Sequence, residues 1–186
     1  MGSPPPEPRS ATRRDPRLAE TRGPTTPETT GGGCPAMLTT CAAFAALPSA
    51  ARLARCFTAK VLTDFALDGL VDTAQLLASE LVTNAVKATG ITKERPSWSE
   101  LRERCSLVSI CIYRTPDGRV VLEVWDRDRT PPVRRQTRPD DPYGRGLQLV
   151  EKLSKDWRYR WPKTGGKIVW CELGIDDQFT LTVTEL

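Results

Sequence analysis

Apolar positions recur at helical spacing through Ala74, Ala78, Leu81, Val82 and Ala85, forming one stripe along the stretch centred on Ser79-Glu80-Leu81-Val82-Thr83-Asn84-Ala85-Val86. Such a stripe calls for a sheet beneath it. Glu80 and Asn84 lie four apart on the opposite side, where two side chains one turn apart can face a common ligand or simply meet solvent. An Asn in mid-helix is disfavoured by roughly half a kcal/mol against Ala, which makes the pair a candidate site. This helix should start near Asp72 or Thr73 and run to about Thr89, with Gly90 as its stop. An earlier helix, opened at Pro48 and Ser49 with Ser49 or the preceding turn as its cap, sets Ala50, Leu53, Ala54, Phe57, Val61, Leu62 and Phe65 at helical spacing. Gly69 marks the turn between the two.

The period then changes. Leu107 to Tyr113 and Val120 to Trp125 are β-rich runs joined by Thr115-Pro116-Asp117-Gly118, and an Asp-Gly turn between such runs signals a hairpin. Asp126 ends the second run. Arg127 to Tyr143 carries Pro131, Pro132, Pro139 and Pro142 without apolar periodicity, which predicts a long lid or binding loop. Tyr143-Gly144-Arg145-Gly146 leads into Leu147, Leu149, Val150 and Leu153, a short helix. Trp157 to Trp161 and Lys167 to Leu173 read as two further strands around Lys163-Thr164-Gly165-Gly166, with Phe179 to Val183 prolonging or following the last. The polar stretch from Ile91 to Arg104, with Pro96 and Trp98, reads as a loop.

Residues up to about 40 are rich in Pro, Thr, Gly and Arg, so they predict a disordered tail, with Met37 as an alternative start. One domain, 41–186, is expected after it. The apolar run Cys41 to Leu47 is too short for a membrane span, and no basic residues precede it as a signal peptide starting at Met37 would require, so a soluble, cytoplasmic protein is expected.

Composition narrows the chemistry. The 186 residues contain no His, and the six Cys form no C-x-x-C pair, which removes the usual zinc sites, Ser-His-Asp and Cys-His catalysis and phosphohistidine. Reduced, buried thiols are the expectation. The net charge of +4 is modest, but its placement is not even. Arg127, Arg129, Arg134, Arg135 and Arg138 precede Gly144-Arg145-Gly146, and Lys152, Lys155, Arg158, Arg160, Lys163 and Lys167 follow it. Glycines before a helix let a phosphate approach its free amides, so this arrangement suits a polyphosphate or is a solvated basic face.

Three separated segments, ASELVTNAV, VWDRDRTPPVRR and YGRGLQLVEKLS with GGKIVWCEL, resemble the Asn box and the two glycine boxes of the gyrase and histidine-kinase type ATPases. They are most similar to those of bacterial anti-sigma-factor serine kinases and their actinomycete relatives. The resemblance spans about residues 44 to 173. It implies a Bergerat-type two-layer α/β sandwich, with a mixed, mainly antiparallel sheet and helices on one face. It further implies binding of ATP and Mg²⁺, with Asn84 as metal ligand and Glu80 orienting or deprotonating an attacking serine hydroxyl. Asp126 would accept from the adenine amino group, and Gly144, Arg145 and Gly146 would hold the phosphates, with Lys87, Leu147 and Lys167 also lining the nucleotide. The implied partners are a sigma factor and an antagonist protein carrying the target serine, with a homodimer as the assembly.

Departures from the pattern are Asp128 where histidine kinases carry Gly, Ala88 where many relatives have His, and Lys167 where the wider family often has Thr. The alternative is a regulatory binding module that uses nucleotide only to set its shape, or has lost it. A nucleic-acid-binding domain would rest on the Arg clusters alone and lacks a recognition motif.

Overall fold

The computed structural model describes residues 39–133 and 146–174. Its elements are β1 (Thr39–Ala45), α1 (Ala50–Asp64), a 3-10 turn (Asp68–Leu70), α2 (Val71–Thr89), α3 (Trp98–Arg104), β2 (Leu107–Arg114), β3 (Val120–Asp126), α4 (Gly146–Leu153), β4 (Asp156–Arg160) and β5 (Lys167–Leu173). The strands form one sheet in the order β1-β2-β3-β5-β4. Among the described residues all four pairings are antiparallel, in line with the mainly antiparallel sheet that the resemblance implies, and no parallel pair is mixed in. The two-layer α/β sandwich is present as expected.

Alternation decides which face of the sheet is covered. Val108, Ile110 and Ile112 of β2, Val120, Leu122 and Val124 of β3, and Val169, Cys171 and Leu173 of β5 share one buried core with α1, α2 and α4. Into that core α2 delivers the stripe read from the sequence, Ala74, Ala78, Leu81, Val82 and Ala85, together with Leu77 and Val86. Each Leu or Val so buried stabilises the fold by about 1.5–3 kcal/mol. On the α1 side, Arg55 Nη1 donates to Ser79 Oγ at 2.9 Å and Gln75 Nε2 to the Arg55 carbonyl at 3.2 Å, which fixes α2 along its neighbour. Its exit is fixed too: Gly90 N–H closes on Val86 O, and a Cβ at Gly90 would overlap the carbonyl of Ala46.

The hairpin forms at the Asp-Gly turn, with Thr115 N–H donating to the Arg119 carbonyl at 2.8 Å and Gly118 at φ +86°. Other readings are corrected. Residues 39–45 form an edge strand on β2, although their Thr, Cys and Ala gave no strand signal of their own. Ser49 precedes α1 but its side chain makes no capping bond, because its own backbone is already helical. The stretch read as a loop contains α3, started by a capping box in which Ser97 and Glu100 bond each other's backbone.

The cysteines also depart from expectation. Cys41 faces Cys111 across the β1–β2 ladder, and the two are disulfide-bonded. Cys56 and Cys105 are exposed, so among the described residues only Cys171 is a buried thiol, pushed up to about 12 by burial. No helix among the described residues is long and apolar enough to cross a membrane. Residues 1–38 of the expected tail and Phe179 to Val183 lie outside the described residues, while Thr39 and Thr40, counted with the tail, belong to β1.

Candidate functional site

Where α2, β3, β5 and α4 meet, they leave a cavity of about 920 Å³, closed on a further side by Asp128 and Thr130 to Val133. Leu81, Ala85, Val124, Leu147 and Val169 make its apolar wall. Two polar clusters interrupt that wall.

The first is built by α2 and the start of α4. Glu80 and Asn84, one turn apart and half-buried, both face Gly146, the first residue of α4. A Cβ at Gly146 would stand 2.5 Å from Glu80 Oε2 and 3.5 Å from Asn84 Nδ2, so any side chain there would push the Glu80 carboxylate aside. The first amides of a helix have no partner inside it, and Gly146 and Leu147 both line the cavity. Among the described residues the side chains of Glu80 and Asn84 have no hydrogen-bond or ion-pair partner. This is an arrangement of one carboxylate, one side-chain amide and a helix start, a donor set that suits a hard cation and phosphate oxygens.

The second cluster follows from the β3–β5 register, which sets Asp126 opposite Lys167 on the last rung of the ladder. Lys167, 5% exposed, donates to Asp126 Oδ1 at 2.9 Å and to Asp128 Oδ2 and the Asp128 carbonyl at 3.1 Å each. A buried ammonium needs such partners to offset its lost hydration. Asp126 Oδ1 also accepts from Asp128 N–H at 2.9 Å, while Asp126 Oδ2 accepts from no described residue. Burial raises the Asp126 pKa above the ordinary carboxylate value, outweighing the Lys167 bond and charge that lower it. For Asp128 the balance is reversed: desolvation raises it, but bonds from Thr130 and Lys167 prevail and hold it below that value.

The local fold explains the rung. Gly165 and Gly166, at φ +93° and +73°, return the chain into β5, and a Cβ at Gly166 would overlap the carbonyl of Asp126. Trp125 Nε1 donates to the Gly165 carbonyl at 2.9 Å. Beyond β3, Trp161 Nε1 holds the Arg129 carbonyl at 3.0 Å, and Thr130 Oγ1 donates to Asp128 Oδ1 at 2.9 Å.

The cavity therefore brings together Glu80, Asn84, Lys87, Asp126, Gly146, Leu147 and Lys167. Gly144 and Arg145 lie outside the described residues. Thr83, Gln148 and Lys152 also line it and were not singled out as site residues; Gln148 and Lys152, four apart on a helix starting at Gly146, were the available signal. The basic run after the glycines divides: Arg158 pairs with Asp156 and Arg160 with Glu123, while Lys152 and Lys167 are its cavity members.

The histidine kinase-like ATPase domain family matches residues 44–172, and the chain belongs to that family. No curated protein matches the chain. Family and cavity agree on the segments that matter: the site residues described here all fall within the matched span. ATP binding is the activity that the domain implies.

Proposed function

We propose that the protein is an ATP- and Mg²⁺-dependent protein serine kinase of the anti-sigma-factor type, which binds a sigma factor and phosphorylates a serine of an antagonist protein. The observation that carries the reading is the convergence of Glu80 and Asn84 on the glycine start of α4, in the cavity that also holds Asp126. Three carboxylates line that cavity among the described residues. Asp126 and Asp128 are tied to Lys167, which leaves Glu80 as the carboxylate able to take a proton from a hydroxyl. The resemblance supplies the partner class, a homodimer and the cytoplasm as compartment; a reducing compartment would hold Cys41 and Cys111 open as thiols. No nucleic acid is included among the partners, since the Arg clusters come without a recognition motif.

In this reading Asn84 Oδ1 would hold Mg²⁺, which when bound supplies charge neutralisation for the transferring phosphoryl group. Glu80 orients the serine hydroxyl and receives its proton. Asp126 Oδ2 takes the adenine amino group, and the apolar wall around Val124 and Val169 excludes water from the base.

The test is thermal stabilisation by Mg-ATP beside phosphate incorporation into a partner captured from cell extract. Wild type should be stabilised by about 2.7 kcal/mol at a hundredfold excess over Kd. Asp126→Asn should lose most of that gain, because an amide can present a donor to the ligand amine. Asn84→Ala should lose binding and transfer together. Glu80→Gln should bind normally and transfer about 10²- to 10⁴-fold more slowly. A wild type that binds nucleotide and partner without transfer would replace the kinase by a nucleotide-gated binding module.

A further inference from the structure

We infer that Lys167 is a positioning residue that sets base selectivity: it holds Asp126 as a carboxylate with a single oxygen offered to the cavity, and so selects purine triphosphates bearing an amino group over those bearing an oxo group. The inference rests on the proposed nucleotide reading of the site and deepens it.

An ammonium has three protons, and Lys167 Nζ has three acceptors: Asp126 Oδ1, Asp128 Oδ2 and the Asp128 carbonyl. It keeps no donor for a ligand, although its side chain lines the cavity. Its effect on a bound base is therefore exerted through Asp126. Two donors, Lys167 Nζ and Asp128 N–H, converge on Oδ1 and fix the rotation of the carboxylate. Oδ2 is left as the accepting atom, and Asp126 is only 1% exposed. An ionised oxygen accepts N–H and repels a carbonyl lone pair.

Without the lysine two things change together. The carboxylate loses the donor that fixes its rotation, and it loses the neighbouring charge that opposes the effect of burial, so it takes up a proton at higher pH. A protonated Asp126 can donate as well as accept. It would then tolerate a 6-oxo purine, and selectivity would disappear with a pH dependence of its own.

The experiment measures Kd for Mg-ATP and for Mg-ITP, its 6-oxo analogue, across the carboxylate pH range in wild type and Lys167→Met. The ratio of the two cancels titration of the shared triphosphate. The other charged side chains of the cavity, Glu80 and Lys87 on α2, Asp128 after β3 and Lys152 on α4, are the same in both proteins. Wild type should prefer ATP by about tenfold to a hundredfold, the worth of a hydrogen bond to a charged group. In Lys167→Met the preference should fall toward unity, and its midpoint should move to higher pH. If the methionine variant does not fold, Lys167→Gln, which removes the charge but keeps a donor, tests the charge alone, and the midpoint of the preference should still move to higher pH. A folded variant with the wild-type ratio and midpoint overturns the role of Lys167 while leaving ATP binding in place. A wild type that binds neither nucleotide overturns the nucleotide reading itself.

Discussion

At the scale of single residues, Gly146 is the position where one added methyl group would meet the candidate site itself. The group it would meet is Glu80 Oε2, the far end of a flexible side chain, so Gly146→Ala can be accommodated by rotating Glu80 away without moving α4. The fold should survive with a melting temperature close to wild type. Mg-ATP binding should weaken by roughly tenfold, about 1.4 kcal/mol, because the displaced carboxylate and the added methyl crowd the helix start. Calorimetric titration of the variant checks this, and wild-type affinity would show that Gly146 is not a point of close approach. Glu80 and Asn84 were legible as a pair from spacing, and Asp126 and Gly146 from the family boxes. The Lys167 bridge was not legible, because it depends on a β3–β5 register that no local pattern encodes.

At the scale of elements, what the sequence revealed followed the strength of local signals. The α2 stripe, the Asp-Gly hairpin and the glycine-led α4 each carry their own period or turn chemistry, and each lies where it was read. β1 carries none, since Thr, Cys and Ala become a strand only by pairing with β2. The start of α3 was written in Ser97-Trp98-Ser99-Glu100, a capping-box signature, but no apolar periodicity follows it. That box has a pH consequence. Glu100 is lowered from 4.5 to about 2, first by the backbone bond from Ser97, then by the Ser97 hydroxyl and Lys93. A carboxylate with a depressed folded pKa stabilises above its unfolded pKa, so this contribution is complete above 4.5 and is lost as pH falls toward 2. Ser97→Ala removes the hydroxyl but keeps the backbone N–H, so it should move the Glu100 titration only part of the way back up, and it should speed amide exchange in α3 about fivefold. A carboxylate titration followed by NMR decides it, an unchanged Glu100 midpoint being the adverse result.

At the scale of the whole molecule, the Cys41–Cys111 link is the covalent tie between the edge of the sheet and its interior, joining positions 70 apart in sequence. β1 has one strand neighbour, yet α1 packs on it, and Ala46 just beyond it bonds both Ser106 and Ile91. Closing a loop of that length restricts the unfolded chain by up to about 4 kcal/mol in the chain-entropy account. For a chain of this size that corresponds to a melting temperature higher by about 10 °C. The oxidised protein should therefore lose stability on addition of reductant, and Cys41→Ser/Cys111→Ser should melt at the lower temperature with or without reductant. Mg-ATP should stabilise both forms by the same increment, because the cavity is built from α2, β3, β5 and α4 and neither cysteine lines it. Melting curves at fixed nucleotide, read beside a non-reducing peptide map of residues 41 and 111, separate the two claims. A linked peptide with no effect of reductant would remove the stabilising role of the tie, and a nucleotide increment that vanished with the disulfide would show that the sheet edge and the cavity are coupled.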